Sequence, residues 1–145
     1  MSVGIEAMFT AALGLQAPWE VERVELNTIK HRIDFDLVCK AKRLTCPACG
    51  VVDQGVHDRI NKEWRHLDFF QFEAWLHASV PRVCCNACNK TTQLDVPWAR
   101  EGSGFTLLFE ALALSLCKEM PGAHAANHLR TTGKRLWARI RHYRA

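Results

Sequence analysis

Polar and apolar residues alternate in two early stretches of the chain. In "RIDFDLVCK", Ile33, Phe35 and Leu37 interleave with Arg32, Asp34 and Asp36 at a period of two; in "WEVERVELN", Val21, Val24 and Leu26 alternate less regularly with charge. Successive side chains of a strand point to opposite faces, so both stretches predict strands with one wet face, joined by a loop around residues 28–31. A second region, residues 46–88, contains "WRHLDFFQFEAWLHASVPRVCC". Its aromatic and β-branched content predicts a hairpin or meander, with Pro81 acceptable on an edge because proline has no N–H for a ladder.

The period changes after "VPWAREGSG", where Pro97, Gly102 and Gly104 predict a linker. In "FTLLFEALALSLCKE" only Thr106, Glu110 and Ser115 interrupt the apolar run up to Cys117. The helix this predicts is apolar nearly all round and must be enclosed by neighbours. "PGAHAANHLR" predicts a short second helix and "TTGKRLWARIRHYRA" a third, with Thr132 placed to cap the latter. At about 100° per residue, Leu136, Ile140 and Tyr143 of the third helix fall on one side, with Trp137 at its border. Lys134, Arg135, Arg139, Arg141 and His142 spread over the opposite face.

Charge sharpens this picture. The net charge of +4 is uneven: residues 1–40 carry six acids against four bases, residues 41–100 eight bases against six acids, and residues 101–145 seven bases against three acids. No acid follows Glu119. Such asymmetry points to a polyanionic partner, with a solvated basic helix face as the plainer reading. A short helix, the "RTTG" turn and a basic second helix together form the arrangement of a helix-turn-helix, whose second helix enters the major groove of double-stranded DNA. Arg135 and Arg139, one turn apart, are the candidates for base-edge or phosphate contact, and Lys134 at the helix entrance suits phosphate.

The 145 residues suffice for one ordinary domain or two small ones, and a hydrophobic content of 48% fits a folded protein. No apolar run reaches the roughly 18 residues of a membrane span, and the N-terminus lacks the basic flank of a secretory signal. No membrane partner and a cytoplasmic location are therefore expected. In that reducing compartment seven cysteines point to metal rather than to a disulfide framework.

"CPACG" places Cys46 and Cys49 with two residues between them, and "CNAC" does the same with Cys85 and Cys88. A tight turn lets both sulfurs of such a pair face one ion at about 2.3 Å, and two pairs supply a closed, structural site of four thiolates with zinc the favoured ion. Gly50 and Asn89 follow the two pairs, where a positive φ is often wanted. Strand alternation should point Cys84 opposite to Cys85, which assigns it, with Cys39 and Cys117, to ordinary packing. Buried free thiols and a redox dithiol are the competing readings; the second needs a cysteine pair opening a helix, and Cys46 precedes a turn-rich stretch. His57 and His66 lie between the pairs but are not needed as ligands. No cluster of carboxylates with histidine, phosphate-cradling glycine loop or Ser-His-Asp order is present to signal a catalytic centre.

The order of "CPACG", "WRHLDFFQFEAWLHASVPRVCCNACNKTTQLDVPWAR", "GSGFTLLFEALALSLCKEMP" and "LRTTGKRLWARIRHY" resembles the N-terminal region of bacterial insertion-sequence transposases of the ISL-three family. That family's "RxxCxxCG" pattern falls on Arg82, Cys85 and Cys88, with Asn89 in place of the usual glycine. The resemblance implies a four-cysteine zinc module, then a helix-turn-helix, then a catalytic domain whose three acids hold divalent metal for phosphoryl transfer. Those acids belong beyond Ala145, so no catalytic residue is carried over and no catalytic divalent metal is expected in this chain. A truncated reading frame or a defined N-terminal fragment is expected, not an enzyme by itself.

The expected architecture is α+β: residues 1–100 form an N-terminal β-rich module with a ribbon-like four-cysteine zinc site, and residues 101–145 a small all-α helix-turn-helix unit. The expected function is recognition of transposon ends, the terminal inverted repeats of an insertion sequence, at the bacterial nucleoid. Further phosphate contacts are expected from Arg59, Lys62, Arg65 and Arg82. The alternative is a catalytically inert interaction module that forms a homo-oligomer, or pairs with a full-length transposase as an inhibitor, through the apolar helix.

Overall fold

Both alternating stretches are strands in the computed structural model, which describes residues 4–140, with the side chains of Trp137, Arg139 and Ile140 outside that description. β1 (Trp19–Asn27) and β2 (Arg32–Cys39) pair antiparallel. β2 is buried at every second residue, Ile33, Phe35, Leu37 and Cys39 turning inward as its period of two requires. The aromatic region forms a long hairpin of β3 (Gly55–Phe69) and β4 (Phe72–Cys84), and the short β5 (Thr91–Gln93) pairs with the end of β4.

The sheet order is β1-β2-β4-β3, so the two hairpins meet through a parallel β2–β4 pairing that runs from Arg32 opposite Glu73 to Leu37 opposite Ala78. β4 is thus internal, and the expectation of an edge position for Pro81 is overturned. The reason proline is tolerated there is local. The Pro81 carbonyl accepts from the Leu94 N–H, so its nitrogen faces the same side, between the last β2 partner at Ala78 and the first β5 partner at Arg82. No ladder bond is lost in that gap.

A helix that the alternation did not reveal, α1 (Ile5–Ala12), covers the apolar face, with Phe9 packed 4.9 Å from Phe35 and 5.4 Å from Phe69 between ring centroids. Trp98 lies edge-on against both Trp19 and Trp64, at 4.8 and 5.3 Å. Such aromatic pairs each add about 1 kcal/mol beyond their burial. Trp98 and the buried Ala99 therefore make residues 97–104, where the sequence predicts a linker, a packed strap. The strap continues as an added rung on the free edge of β3: the Arg65 N–H donates to the Gly104 carbonyl at 2.8 Å, and the Thr106 N–H to the Arg65 carbonyl at 2.9 Å.

Three helices follow, α2 (Leu107–Glu119), α3 (Gly122–Leu129) and α4 (Gly133–Ile140). Phe105, Phe109, Ala113, Ala125, Ala126, Leu129 and Leu136 form a second apolar cluster. Thr106 caps α2 by accepting from the Phe109 N–H, and Thr132 caps α4 by accepting from the Arg135 N–H, as its placement in the sequence suggested. α2 is not enclosed all round, because Leu107, Leu108 and Leu112 remain exposed on its outer face.

Candidate metal and nucleic-acid sites

The four paired cysteines converge. Cys46 and Cys49 lie in a turn between Leu44 and Gln54, which bridge to each other; Cys85 and Cys88 lie in the turn between β4 and β5. Closure of each turn is similar. The Cys46 N–H donates to the Val51 carbonyl at 2.9 Å and the Cys85 N–H to the Lys90 carbonyl at 3.1 Å, while Gly50 and Asn89 take φ of 79° and 57°. The left-handed conformation anticipated at both positions is present, and Asn89 adopts it where glycine would be the default.

The Sγ atoms of Cys46 and Cys88 are 3.8 Å apart and those of Cys49 and Cys85 3.5 Å, and all four lie within 4.8 Å of one another. A tetrahedron of sulfurs about 2.3 Å from a central zinc has edges of about 3.8 Å. This donor set is consistent with a structural zinc ribbon. The first thiol of each turn is shifted toward the anion: the Cys88 N–H, then that of Ala87, holds Cys85 down at about 7, and the Cys49 N–H lowers Cys46. The second thiols go the other way. The Val51 N–H lowers Cys49, but the neighbouring thiols, Cys85 foremost, and burial outweigh it and push Cys49 up to about 12; Cys88 is also raised. Four sulfurs cannot all be anions at this spacing without a cation among them.

The other histidines and cysteines stand apart. His57 is exposed, and the Nδ1 of His66 lies 2.8 Å from the Thr106 hydroxyl. Cys84 points away from Cys85 as alternation required, yet it is exposed rather than packed; Cys39 is in the core and Cys117 flanks the second cluster.

The helix-turn-helix candidate is joined to the hairpin tip through Arg65. This side chain is only 2% exposed, and its guanidinium donates to Asp68 at 3.0 Å, to Glu73 at 3.0 Å and to the carbonyl of Leu129 at 3.0 Å. Arg130, in the left-handed conformation at the C-cap of α3, pairs with Asp68 and donates to the Gln71 carbonyl at 3.2 Å. The turn ahead of α4 is thereby held to the β3–β4 tip. Arg65 is consequently removed from the expected phosphate contacts. Arg82 is held by a two-pronged pair with Asp58, whereas Arg59 is exposed and Lys62 half-buried.

Lys134 and Arg135 are exposed at the start of α4, although the Arg135 guanidinium lies back over the rings of Phe105 and Trp75, at 5.5 and 5.7 Å. Arg139 belongs to α4 but its side chain is outside the described residues, as are Arg141 and His142. The polar face of the sheet is mainly of the opposite sign: Glu22, Glu25, Asp34, Asp36 and Glu63 line a groove with His77 and a single lysine, Lys62. Burial raises the pKa of Asp34, but hydrogen bonds from Arg32 and His77 outweigh it and hold the carboxyl below its usual range.

Sequence reasoning missed the node of Arg65, Asp68, Glu73 and Arg130. It also missed Glu110, a 2% exposed carboxylate that pairs with Arg100 at 3.0 Å and accepts from Ser103. The one available signal was a charged residue inside an otherwise apolar helix.

Comparison with known proteins agrees with this geometry. Residues 42–88 match the zinc-finger of transposases IS204/IS1001/IS1096/IS1165, and residues 94–144 match the helix-turn-helix domain of transposase family ISL3. The transposase for insertion sequence element IS1557 from two strains of Mycobacterium tuberculosis is 29% identical over 112 residues, covering 71% of this chain and 24% of the relative. The chain thus spans about a quarter of the length of these relatives, and its two matched regions are the zinc-finger and helix-turn-helix parts rather than a catalytic domain. No solved structure matches it. The two matches together cover about two thirds of its residues, and the chain corresponds to the zinc-finger and helix-turn-helix regions of ISL3-family transposases.

Proposed function

We propose that this chain is a DNA-end recognition module: it binds duplex DNA through α3 and α4 and recognises the terminal inverted repeats of an insertion sequence. The observation that carries the reading is the capped α4, which follows a fixed turn and presents Lys134 and Arg135 at its exposed N-terminal end, within the matched helix-turn-helix region. Recognition helices meet base edges with their N-terminal residues. Arg135 is the candidate for base-edge contact, and Lys134, Arg139, Arg141 and His142 for phosphate. The contribution to transposition is then placement of the transposon end, and the phosphoryl-transfer chemistry lies outside this chain.

Zinc, in this reading, is held by Cys46, Cys49, Cys85 and Cys88. When bound it supplies the positive charge that four thiolates need and ties the 44–54 turn to the end of β4; a closed shell of four sulfurs leaves no position for substrate. DNA binding would place the protein in the bacterial cytoplasm, at the nucleoid. No helix among the described residues is long and apolar enough to cross a membrane.

The test is enrichment of duplexes from a random-sequence library by the zinc-loaded chain. Recovery of a motif matching the terminal repeats of the element that carries the gene supports the reading. Survivors indistinguishable from the input library contradict it.

Exposure of Leu107, Leu108 and Leu112 favours a second role, self-association through α2. Light scattering should then give a dimer mass that falls to that of a monomer in Leu108→Asp; a monomer mass for the unaltered chain removes this role.

A further inference from the structure

The β3–β4 hairpin turns through only two residues, Phe70 and Gln71, between the paired Phe69 and Phe72. Phe70 takes φ of 56° and is 84% exposed. A two-residue turn with positive φ at its first position favours glycine there, and a bulky aromatic is an outlier. The strain is not offset by burial of the ring, whose neighbour is Phe69 at 4.7 Å between centroids. Folding gains only this one ring pair from phenylalanine at the tip, set against the strain of its backbone. Residues held in rarely used conformations cluster where a ligand is met.

What surrounds the tip indicates the ligand. Arg130 holds the Gln71 carbonyl and Asp68, and Arg65 holds Asp68 and the Leu129 carbonyl, so Phe70 is fixed beside the turn that leads into α4. At the same end of the sheet the Glu73 N–H donates to the His31 carbonyl, which brings in the β1–β2 turn with exposed Lys30 and 90% exposed Ile29. The nearby carboxylates of Asp68 and Glu73 are occupied by arginine, while Lys30 in the β1–β2 turn and Lys134, four residues beyond Arg130, are exposed.

We infer that Phe70 is a second DNA-contacting residue, a wedge that enters the minor groove flanking the major groove occupied by α4 and partly unstacks a base step. Apolar wedges of this kind, Phe and Ile among them, open base steps while flanking cations hold the phosphates. A protein-docking patch would call for a broader apolar surface than Phe70 and Ile29 offer. This inference rests on the helix-turn-helix reading above.

The test uses the duplex enriched by the zinc-loaded chain, with 2-aminopurine placed at successive positions flanking the α4 site. On binding of the unaltered chain, fluorescence should rise at one flanking step. Phe70→Gly should abolish that rise and weaken binding roughly tenfold, while leaving the slope of log K against log salt unchanged because no charge is removed. Glycine suits the positive φ, so its melting temperature should equal or exceed that of the parent. Phe70→Asn, which also tolerates that conformation, gives an independent variant. Unaltered fluorescence and affinity in both variants overturn the wedge alone; a parent chain that enriches no duplex overturns the helix-turn-helix reading and this inference with it.

Discussion

Cys84 and Cys85 are adjacent in sequence and opposite in role, and the pleat separates them. Cys85 converges with Cys46, Cys49 and Cys88, while Cys84 faces solvent. Cys85→Ser should abolish zinc retention and unfold the turns at that end of the sheet, and Cys84→Ser should leave both unchanged; elemental analysis with circular dichroism measures the two effects. The cysteine spacing and the positive φ at Gly50 and Asn89 were legible because both are local properties of a turn. The role of Arg65 was not legible. Its partners Leu129 and Arg130 lie more than sixty residues away, and nothing in its own neighbourhood signals that it will be buried. Arg65→Met should destabilise the protein by about 3 kcal/mol, since Glu73 and two helix-terminal carbonyls lose a buried charged partner. Arg65→Lys should recover only part of that, because an ammonium cannot fork between these acceptors. Urea midpoints measure both.

Among the elements, β1, β2 and the β3–β4 hairpin followed from period and composition, and α2, α3 and α4 from period and capping residues. The pairing between hairpins did not, because parallel contact of β2 with β4 depends on packing between distant segments rather than on either strand's pattern. α1 escaped notice for a related reason: it buries mainly Phe9 and leaves Ile5 and Met8 exposed, so it has little periodic signal.

The start of α2 carries a pH response. Burial pushes the His66 imidazole below its ordinary 6.5, and its Nδ1 faces the hydroxyl of Thr106, the α2 cap. The unfolded chain takes up this proton near 6.5 and the folded chain resists it, so the unfolded state binds more protons below that value and stability falls with acid. The urea midpoint should decline as pH drops below 6.5, and His66→Gln should show a shallower decline. Equal slopes in the two proteins would contradict a role for His66.

Across the whole chain, the cysteine cluster and the helix-turn-helix region lie at opposite ends of one hairpin. Cys84 ends β4 beside the cysteine cluster, Phe72 begins it beside α3, and thirteen residues of strand separate them by roughly 40 Å. In the proposed DNA-binding reading, the acidic groove between these ends would disfavour DNA on that face and leave the cationic start of α4 and the hairpin tip to meet it. Charge asymmetry in the sequence indicated a polyanion, but the acidic face emerges only once β1, β2, β3 and β4 are placed side by side.

The proposed function requires the zinc-loaded chain to bind duplex DNA through cationic contacts of its helix-turn-helix. Fluorescence anisotropy of an enriched duplex, titrated with the chain at a series of salt concentrations, tests it most directly. A linear fall of log K with log salt, at a slope of about −0.9 for each phosphate neutralised, is predicted, and Lys134→Ala should reduce that slope by about one. Absence of binding by the zinc-loaded chain, or an affinity that does not change with salt, would contradict the account.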